Sequence, residues 1–487
     1  MDSVVKLAQL TDRSPSTEQR YAETVQKLRG AYNSEKNRPL AYRKAQLGRL
    51  RDLISENETA FADAVWKDIR RSKAEMIGFE TQFVLNEVNT ILGQLDSWAK
   101  PVKVSRNLQQ LLDSAYIRKE PLGVVLVIGA WNYPIQNALL PLASALAAGN
   151  AVVVKPSEIA ARTAALVAEL IPKYLDQETV AVVQGGVAVT TELLKCRFDH
   201  ICYTGSGAVG KVVMRAAAEH LTPVTLELGG KSPAIVDHRN VDMSVAARRI
   251  AWGKFVSCGQ TCIAPDYVLV EEEGRESLVE GLQAAILEFY GEDASLSDDY
   301  SRLPSDKHFQ RLSHLLEATK GTVVHGGRTK AQEKFIEPTV LVDVSEDDVL
   351  MKEELFGPVL PIVTVESVES AIQFVCQREK PLILYLFSND QQGVVESVLS
   401  RTASGSVVVN DTLMNMACDS LPFGGVGASG MGRYHGRFGF DTFTHEKAVL
   451  HRSLGLEQLL WMRYPPFDAS KLSWFKTLAT KRKLPFM

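Results

Sequence analysis

Two side chains of this 487-residue sequence could take part in one covalent reaction, the thiol of Cys262 and the carboxylate of Glu227. Cys262 lies in residues 256–266, VSCGQTCIAPD, and Glu227 lies in residues 226–233, LELGGKSP. A thiolate can attack a carbonyl carbon, and a carboxylate can activate the water that later releases the acyl group. A lone cysteine is most often an inert buried side chain. Counting alone does not separate Cys262 from Cys196, Cys202, Cys258, Cys376 and Cys418, so only the surrounding motif selects it.

A glycine-rich turn at residues 205–210, GSGAVG, matches the GxGxxG pattern of dinucleotide-binding turns, with Gly205 and Gly210 at its ends. It follows a predicted strand and opens a predicted helix, so the N–H groups after Ser206 could hold a pyrophosphate. Taken alone, the motif is as often structural as functional. It therefore indicates a cofactor only together with other motifs.

The carboxylate that would bind the cofactor ribose has two candidates. The usual fingerprint places it about 20 residues after the glycines, which would select Glu227. Because several strand–helix units precede the glycine turn, we assign the ribose instead to Glu158, in residues 154–158, VKPSE, and leave Glu227 for chemistry. Residues 230–232, GKS, resemble the end of a P-loop, but Thr225 stands where that motif requires glycine, so an ATPase is not indicated.

The elements that must position these residues follow from the periodicity of the chain. Residues 15–100 have helical spacing of apolar and charged residues. From Leu122, short β-branched runs alternate with helical stretches, which predicts a mostly parallel, doubly wound sheet. The same alternation begins again at Ala234 and predicts a second α/β domain. We expect the charged residues 291–305 to form a surface loop.

Composition excludes several classes of protein. The chain has 54 basic and 58 acidic residues and no basic block, so no nucleic-acid partner is expected. Six cysteines without CxxC pairs predict no metal site and no disulfide framework, and favour the cytoplasm. We find no secretory signal and no apolar stretch of the roughly 18 residues that a transmembrane helix needs.

In their order along the chain, the motifs resemble those of the aldehyde dehydrogenases, and most closely their class 3 branch, which includes fatty-aldehyde and aromatic-aldehyde enzymes. The matching segments are 130–134 (AWNYP), 154–158 (VKPSE), 203–210 (YTGSGAVG), 226–233 (LELGGKSP), 259–262 (GQTC), 353–358 (EELFGP), 421–436 (LPFGGVGASGMGRYHG) and 463–466 (RYPP). The resemblance covers essentially the whole chain. Separately, each segment has a simpler structural explanation, such as a turn former or a core aromatic residue, and only the ordered set favours function.

The resemblance implies roles for individual residues. The catalytic set would be Cys262 as nucleophile, Glu227 as general base and Asn132 as a donor to the oxyanion. The cofactor-binding set would be Trp131, Lys155, Glu158, Gly205, Ser206, Gly210, Leu228, Glu354 and Phe356. The reaction implied is the oxidation of medium-chain, long-chain or aromatic aldehydes to carboxylic acids. We expect NAD as the cofactor, with NADP also accepted.

The same resemblance implies an α/β fold with a Rossmann-type cofactor domain, a second α/β catalytic domain and a small β bridging element for oligomerisation. We predict the NAD(P)-binding domain at residues 1–228, with bridging strands near 100–123, and the catalytic domain at 229–435. Residues 436–487 would hold another bridging strand and the tail. A homodimer is expected, with a small-molecule aldehyde as substrate.

Some alternatives remain open at this point. A relative that transfers the acyl group to CoA would need no water-activating base, and a catalytically silent relative would need none of the three catalytic residues. Ser257 and Cys258 depart from the pattern of the family, in which an asparagine followed by a non-cysteine residue is frequent. The aromatic and basic tail after Leu450 could pack on a dimer or make a peripheral membrane contact. Its apolar residues are Leu472, Trp474, Phe475, Leu478, Leu484 and Phe486, and its basic residues are Lys471, Lys476, Lys481, Arg482 and Lys483.

Overall fold

The computed structural model describes residues 17–106, 110, 113–455 and 457–479. The helical lead-in predicted for residues 15–100 is present in this part of the chain. It consists of Thr17–Asn33 (α1), Leu40–Glu56 (α2), Glu58–Ile69 (α3), Lys73–Met76 (α4), a π-helical turn at Ile77–Thr81, and Gln82–Trp98 (α5). Residues of the tail from 480 onward lie outside the described part, so the predictions for Lys481, Arg482, Lys483, Leu484 and Phe486 are not addressed.

The first large sheet has six strands. They are Val124–Ile128 (β3), Ala151–Lys155 (β4), Val180–Val182 (β5), His200–Thr204 (β6), Val224–Glu227 (β7) and Gly430–Met431 (β17), in the spatial order β17-β7-β6-β3-β4-β5. All pairs are parallel except β17 with β7. Strands β3 and β4 are buried on both faces, as expected for β-branched runs in a sheet covered by helices. The covering helices are Gln136–Ala148 (α6), Ala161–Tyr174 (α7), Val187–Leu194 (α8) and Gly207–Ala218 (α9).

The second large sheet has seven strands. They are Pro233–Val236 (β8), Tyr267–Glu271 (β9), Thr322–His325 (β10), Thr339–Val342 (β13), Val359–Val365 (β14), Ile383–Phe387 (β15) and Ser406–Val409 (β16), in the order β10-β13-β14-β9-β8-β15-β16. Its helices are Met243–Phe255 (α10), Glu272–Tyr290 (α11), Asp306–Ala318 (α12), Val368–Cys376 (α13) and Glu396–Arg401 (α14). Strands β13 and β15 did not stand out in the sequence, because a short buried run has no alternation to identify it. The partly exposed strand β10 was also missed.

A third sheet joins distant parts of the chain. Val102–Lys103 (β1) and Ser114–Pro121 (β2) pair with Thr444–His451 (β18) in the order β1-β2-β18. These strands lie within the residues where the resemblance predicted a small β element. The remaining elements are the two-stranded pair Thr329–Lys330 (β11) and Phe335–Ile336 (β12), and the helices Gly436–Thr442 (α15) and Ala469–Ala479 (α16). Among the described helices, none has the length and apolar character needed to cross a bilayer.

The prediction of a surface loop at residues 291–305 was wrong in part. Tyr300 and Leu303 are buried, and the Tyr300 hydroxyl donates to the Ile336 carbonyl at 2.8 Å. The buried Arg302 donates to several backbone carbonyls in the same region. The charged residues of this segment masked its apolar anchors, which pack beside β12 and α12.

The carboxyl edge of the first sheet faces the amino edge of the second. Asn132 follows β3, and its side-chain amide donates to the carbonyl of Gln260, which precedes β9. Parallel α/β sheets bind ligands beyond the carboxyl ends of their strands, where the strand order reverses. Strand β3 has β6 on one side and β4 on the other, which makes this edge the candidate site.

Candidate active site

The Cys262 loop between α10 and β9 has an unusual backbone. Ser257 and Cys258 both have left-handed conformations, with φ of 54° and 57°, and Gly259 follows at 71°. A Cβ on Gly259 would lie 2.3 Å from the carbonyl oxygen of Gly357, so only glycine fits there. Left-handed non-glycine residues cost about 1–3 kcal/mol each and persist only where surrounding contacts enforce them. The two residues that departed from the family pattern are therefore the strained ones.

Cys262 as a residue is partly buried, and it packs against the main apolar core. Burial raises its pKa to about 12, and the carboxylates of Glu354 and Glu227 add to this effect because they disfavour a second negative charge. The nearby backbone N–H groups of Cys262 and Ile263 act in the opposite direction and lower the pKa of the thiol. The sulfur thus lies where N–H donors converge and two acidic groups are close.

Asn132 is held from both sides. Its Nδ2 donates to the Gln260 carbonyl at 3.0 Å, and its Oδ1 accepts from Nδ2 of Asn137 at 3.1 Å. The neighbouring Tyr133 hydroxyl shares a 2.7 Å hydrogen bond with Thr261. An amide nitrogen carries two hydrogens, so one N–H of Asn132 remains for a ligand.

Glu227 is the last residue of β7 and is buried. Its backbone is fixed because its carbonyl accepts from Gly205 N–H at 3.0 Å and because it pairs with Gly430 of β17. Neither carboxyl oxygen has a hydrogen-bond partner among the described residues, and burial raises its pKa well above the ordinary value. A buried, unpartnered carboxyl group close to a thiol is suited to moving a proton.

The glycine turn leads from β6 into α9. Ser206 caps the helix, its hydroxyl accepting from Val209 N–H. A Cβ on Gly205 would lie 2.3 Å from the Tyr203 hydroxyl, and a Cβ on Gly210 would lie 2.9 Å from the Leu228 side chain. These glycines are needed for close packing, and Leu228 fills the space that Gly210 leaves.

Lys155 and Glu158 lie together at the end of β4. Lys155 Nζ donates to Glu158 at 3.0 Å and to the Pro156 carbonyl at 3.2 Å. The Lys155 side chain is buried, whereas that of Glu158 is 41% exposed. The carboxylate is therefore open to solvent at the carboxyl edge of the sheet, on a different strand from the Cys262 neighbours.

Glu354 and Phe356 lie in the loop that precedes β14 of the second sheet. The Glu354 carboxyl group lies against Gly229, where a Cβ would approach it to 2.1 Å. Burial raises the pKa of Glu354 to about 8, and the charge of Asp266 contributes. Phe356, at φ 48°, makes an edge contact with Trp131, with ring centroids 5.5 Å apart.

Lys231, in the segment that resembles the end of a P-loop, is bound by protein groups. Lys231 is ion-paired with Asp266 and donates to the carbonyls of Leu350 and Glu353 at 2.7 and 3.0 Å. The same carboxyl group of Asp266 accepts from Leu355 N–H at 3.0 Å. These contacts hold the loop that carries Glu354.

Sequence reasoning missed the polar groups that support the site. Arg71 and Glu80, in the helical lead-in, are both completely buried and form an ion pair at 2.6 Å. In the sequence they are two of many charged residues with helical spacing. Gln260 could have been identified, because it lies inside the motif that selects Cys262.

The sequence and the fold of this chain are both similar to those of known proteins. A model of the aldehyde dehydrogenase family matches residues 6–449. Aldehyde dehydrogenase family 3 member A2 of Rattus norvegicus is 49% identical over 94% of each chain. The "Aldehyde dehydrogenase, dimeric NADP-preferring" of the same species is 50% identical over 92% of this chain and 98% of its own. A solved structure of Staphylococcus aureus AldH in a substrate-bound state superposes with a TM-score of 0.91 at 41% identity, covering 94% of this chain and 99% of that one.

Proposed function

Since the chain belongs to the aldehyde dehydrogenase family and to its class 3 branch, we propose that it oxidises aldehydes to carboxylic acids through an acyl group carried on Cys262. As a family member it is an aldehyde dehydrogenase that uses NAD(P). The main support for a covalent route through Cys262 is that the proposed catalytic groups lie close together. The Asn132 amide is hydrogen-bonded to Gln260, two positions before Cys262, and the charge of Glu227 acts on the Cys262 thiol.

The residues at the carboxyl edge fit a dinucleotide. The first N–H groups of α9 favour a pyrophosphate, and Glu158 and Glu354 could each accept hydrogen bonds from ribose hydroxyls. Gly205 and Gly210 leave no space for side chains at that turn. We further assign Lys155 to the same ribose as Glu158, and Trp131, Ser206, Leu228 and Phe356 to the walls and turn of the cofactor site. NAD(P) held by these residues would supply the acceptor for a hydride from the substrate carbon attached to sulfur, so that the acyl group remains on Cys262 as a thioester.

In the first half of the reaction the Cys262 thiol loses its proton to water, the sulfur forms a bond to the aldehyde carbon, and the carbonyl oxygen becomes an alkoxide. The free N–H of Asn132 and the backbone N–H of Cys262 donate to that oxygen. One such donor is worth about 3 kcal/mol in comparable sites. The fixed hydrogen bonds of Asn132 mean that little reorganisation is needed as the charge develops.

The second half releases the acid. Glu227 takes a proton from water, the water oxygen attacks the acyl carbon, and the carbon–sulfur bond breaks. The sulfur leaves as a thiolate and takes the proton that Glu227 holds, which returns both groups to their starting states. A carboxyl group whose pKa is raised by burial is a stronger base once ionised. The closeness of Glu227 to Cys262 supports water, rather than CoA, as the acyl acceptor.

Buried aromatic side chains surround His435 in the core against which Cys262 packs, so the neighbourhood of the thiol is apolar. Phe423 stacks on His435 with ring centroids 5.1 Å apart, and Phe83 and Tyr434 also contact His435. Charges on Cys262 and Glu227 both act on the buried Tyr434 hydroxyl, which brings this cluster close to the reacting groups. We propose medium-chain, long-chain or aromatic aldehydes as substrates.

We also propose a cytoplasmic homodimer with a peripheral membrane contact. One relative is named dimeric, and β18, at one edge of its sheet, is largely exposed. The tail presents an exposed set of large apolar side chains, which are Trp461, Tyr464, Phe467, Leu472, Trp474 and Phe475. Such a surface fits a partner subunit or the interface of an anionic membrane.

The test of the covalent route is Cys262→Ala, with the exposed Cys376→Ala as the matched control. We expect Cys262→Ala to abolish turnover and to bind NAD nearly as tightly as the wild type, because the thiol supplies the covalent step and does not hold the cofactor. Steady-state rates and NAD titration by fluorescence measure both quantities. Near-normal turnover of Cys262→Ala would show the proposal to be wrong.

A further inference from the structure

Arg71 makes an unusual set of contacts for a charged residue. It has no solvent exposure, yet its guanidinium donates to the Glu80 carboxylate at 2.6 Å, to the backbone carbonyl of Asn132 and to the Ser257 hydroxyl. It also lies over the ring of Tyr133, 4.3 Å from its centroid. One side chain therefore touches both the segment of the oxyanion donor and the segment that leads to the nucleophile.

Glu80 continues the same arrangement. Its second oxygen accepts from the backbone N–H groups of Ile135 and Gln136 at 2.7 and 3.3 Å, at the start of α6. Arg71 holds this turn at the carbonyl of Asn132 itself, and Glu80 holds it three and four residues later. The ion pair thus holds the turn from β3 to α6 at a carbonyl and at two N–H groups.

Glu75 binds the segment that leads to the nucleophile, Cys262. Its carboxylate accepts from Ser257 N–H at 3.2 Å and lies 3.8 Å from Arg71. Ser257 is one of the two left-handed non-glycine residues before Gly259. Its backbone and hydroxyl are both bound by this cluster, which supplies contacts that enforce the strained turn.

We propose that Arg71 and Glu80 are positioning residues, which hold the Asn132 segment and the Cys262 loop at the separation that alkoxide stabilisation requires. This inference rests on the proposed roles of Asn132 and Cys262. Arginine suits the position because its planar fork reaches several acceptors at once, whereas lysine has a single point of attachment. A buried ion pair adds little net stability, so its contribution here is to geometry.

The test uses Arg71→Lys and Ser257→Ala, each alone and combined with Asn132→Ala. The readout is the pre-steady-state burst of reduced cofactor, with saturating NAD. A displacement of about 1 Å can cost on the order of 100-fold, so we expect Arg71→Lys to slow the burst about 10- to 100-fold. Ser257→Ala, which removes one hydrogen bond and keeps the charge, should slow it a few-fold and remains informative if Arg71→Lys does not fold.

The combined variants separate positioning from general stability. If Arg71 acts through Asn132, neither Arg71→Lys nor Ser257→Ala should slow the burst of Asn132→Ala by more than about 2-fold. The control is Arg43→Lys, at a buried arginine that donates to the carbonyls of Asn37 and Ala147, which should leave the burst rate unchanged. NAD affinity should also stay within about 2-fold in all variants.

The outcomes are distinguishable. Additive effects of Arg71→Lys and Asn132→Ala would overturn the positioning role and leave the oxyanion role of Asn132 intact. An unchanged burst in Asn132→Ala alone would overturn the oxyanion role, and the positioning role with it. A non-additive loss confined to the burst rate supports both.

Discussion

Replacing Glu227 by glutamine gives the most direct test of its role as general base. The substitution keeps the shape of the side chain and removes only its ability to take a proton. Neither oxygen of Glu227 has a hydrogen-bond partner among the described residues, so few ground-state contacts are lost. We expect the variant to fold normally and to retain acylation of Cys262.

The expected size of the effect follows from the burial of this carboxyl group. Positioned general bases contribute about 10²- to 10⁴-fold, which corresponds to about 2.7–5.4 kcal/mol at 1.36 kcal/mol per tenfold change. Because burial raises the pKa of Glu227 well above its ordinary value, deacylation in the wild type should accelerate as pH rises and the carboxyl group ionises. That dependence should be absent in Glu227→Gln.

Rapid mixing separates the two half-reactions. Glu227→Gln should give a burst of reduced cofactor close to one equivalent per active site, followed by very slow turnover, and intact mass spectrometry should detect the acyl-enzyme. Glu219→Gln, at an exposed carboxylate just after α9, is the control and should resemble the wild type. Loss of the burst itself would refute this reasoning, because Glu227 would then act before hydride transfer.

Three further predictions concern the cofactor, the core and the tail. Glu158→Gln should lower the ratio of kcat/KM for NAD to that for NADP, since a 2′-phosphate would no longer be repelled; an unchanged ratio in this variant would remove the argument, and Glu169→Gln is the exposed control. Burial raises the pKa of Glu87 from 4.5 to about 7, so ionisation should lower the free energy of unfolding by up to about 3 kcal/mol between pH 5 and pH 8. In urea melts, Glu87→Gln should remove this pH-dependent loss of stability, while its Oε1 can still accept from Gly436 N–H. If the difference in unfolding free energy between the variant and the wild type does not change with pH, Glu87 is not the group responsible. The full chain should float with anionic vesicles at low salt and a chain ending at Pro466 should not; if both stay unbound, the tail is not an anchor.

The sequence alone was sufficient for the family and the fold class. The groups that carry its chemistry lie in short contiguous motifs, such as residues 226–233 and 259–262, whose residue types and order identify them without coordinates. The alternation of strands and helices after Leu122 predicted the parallel sheets, because short β-branched runs separated by helical stretches are typical of buried parallel strands. The roles of the individual site residues stay predictions until the variants are measured.

Contacts between distant segments could be decided only by the tertiary structure. Arg71 and Ser257 are 186 positions apart, and neither the periodicity of α3 and α4 nor the motif around Cys262 indicates that they meet. Strand β17 returns to the edge of the first sheet from a region predicted to belong to the catalytic domain, since antiparallel pairing of two residues leaves no local pattern. Burial also decides the charge state of Glu227, Glu354 and Cys262, because desolvation depends on the atoms that surround a group in space and not on its neighbours in the chain.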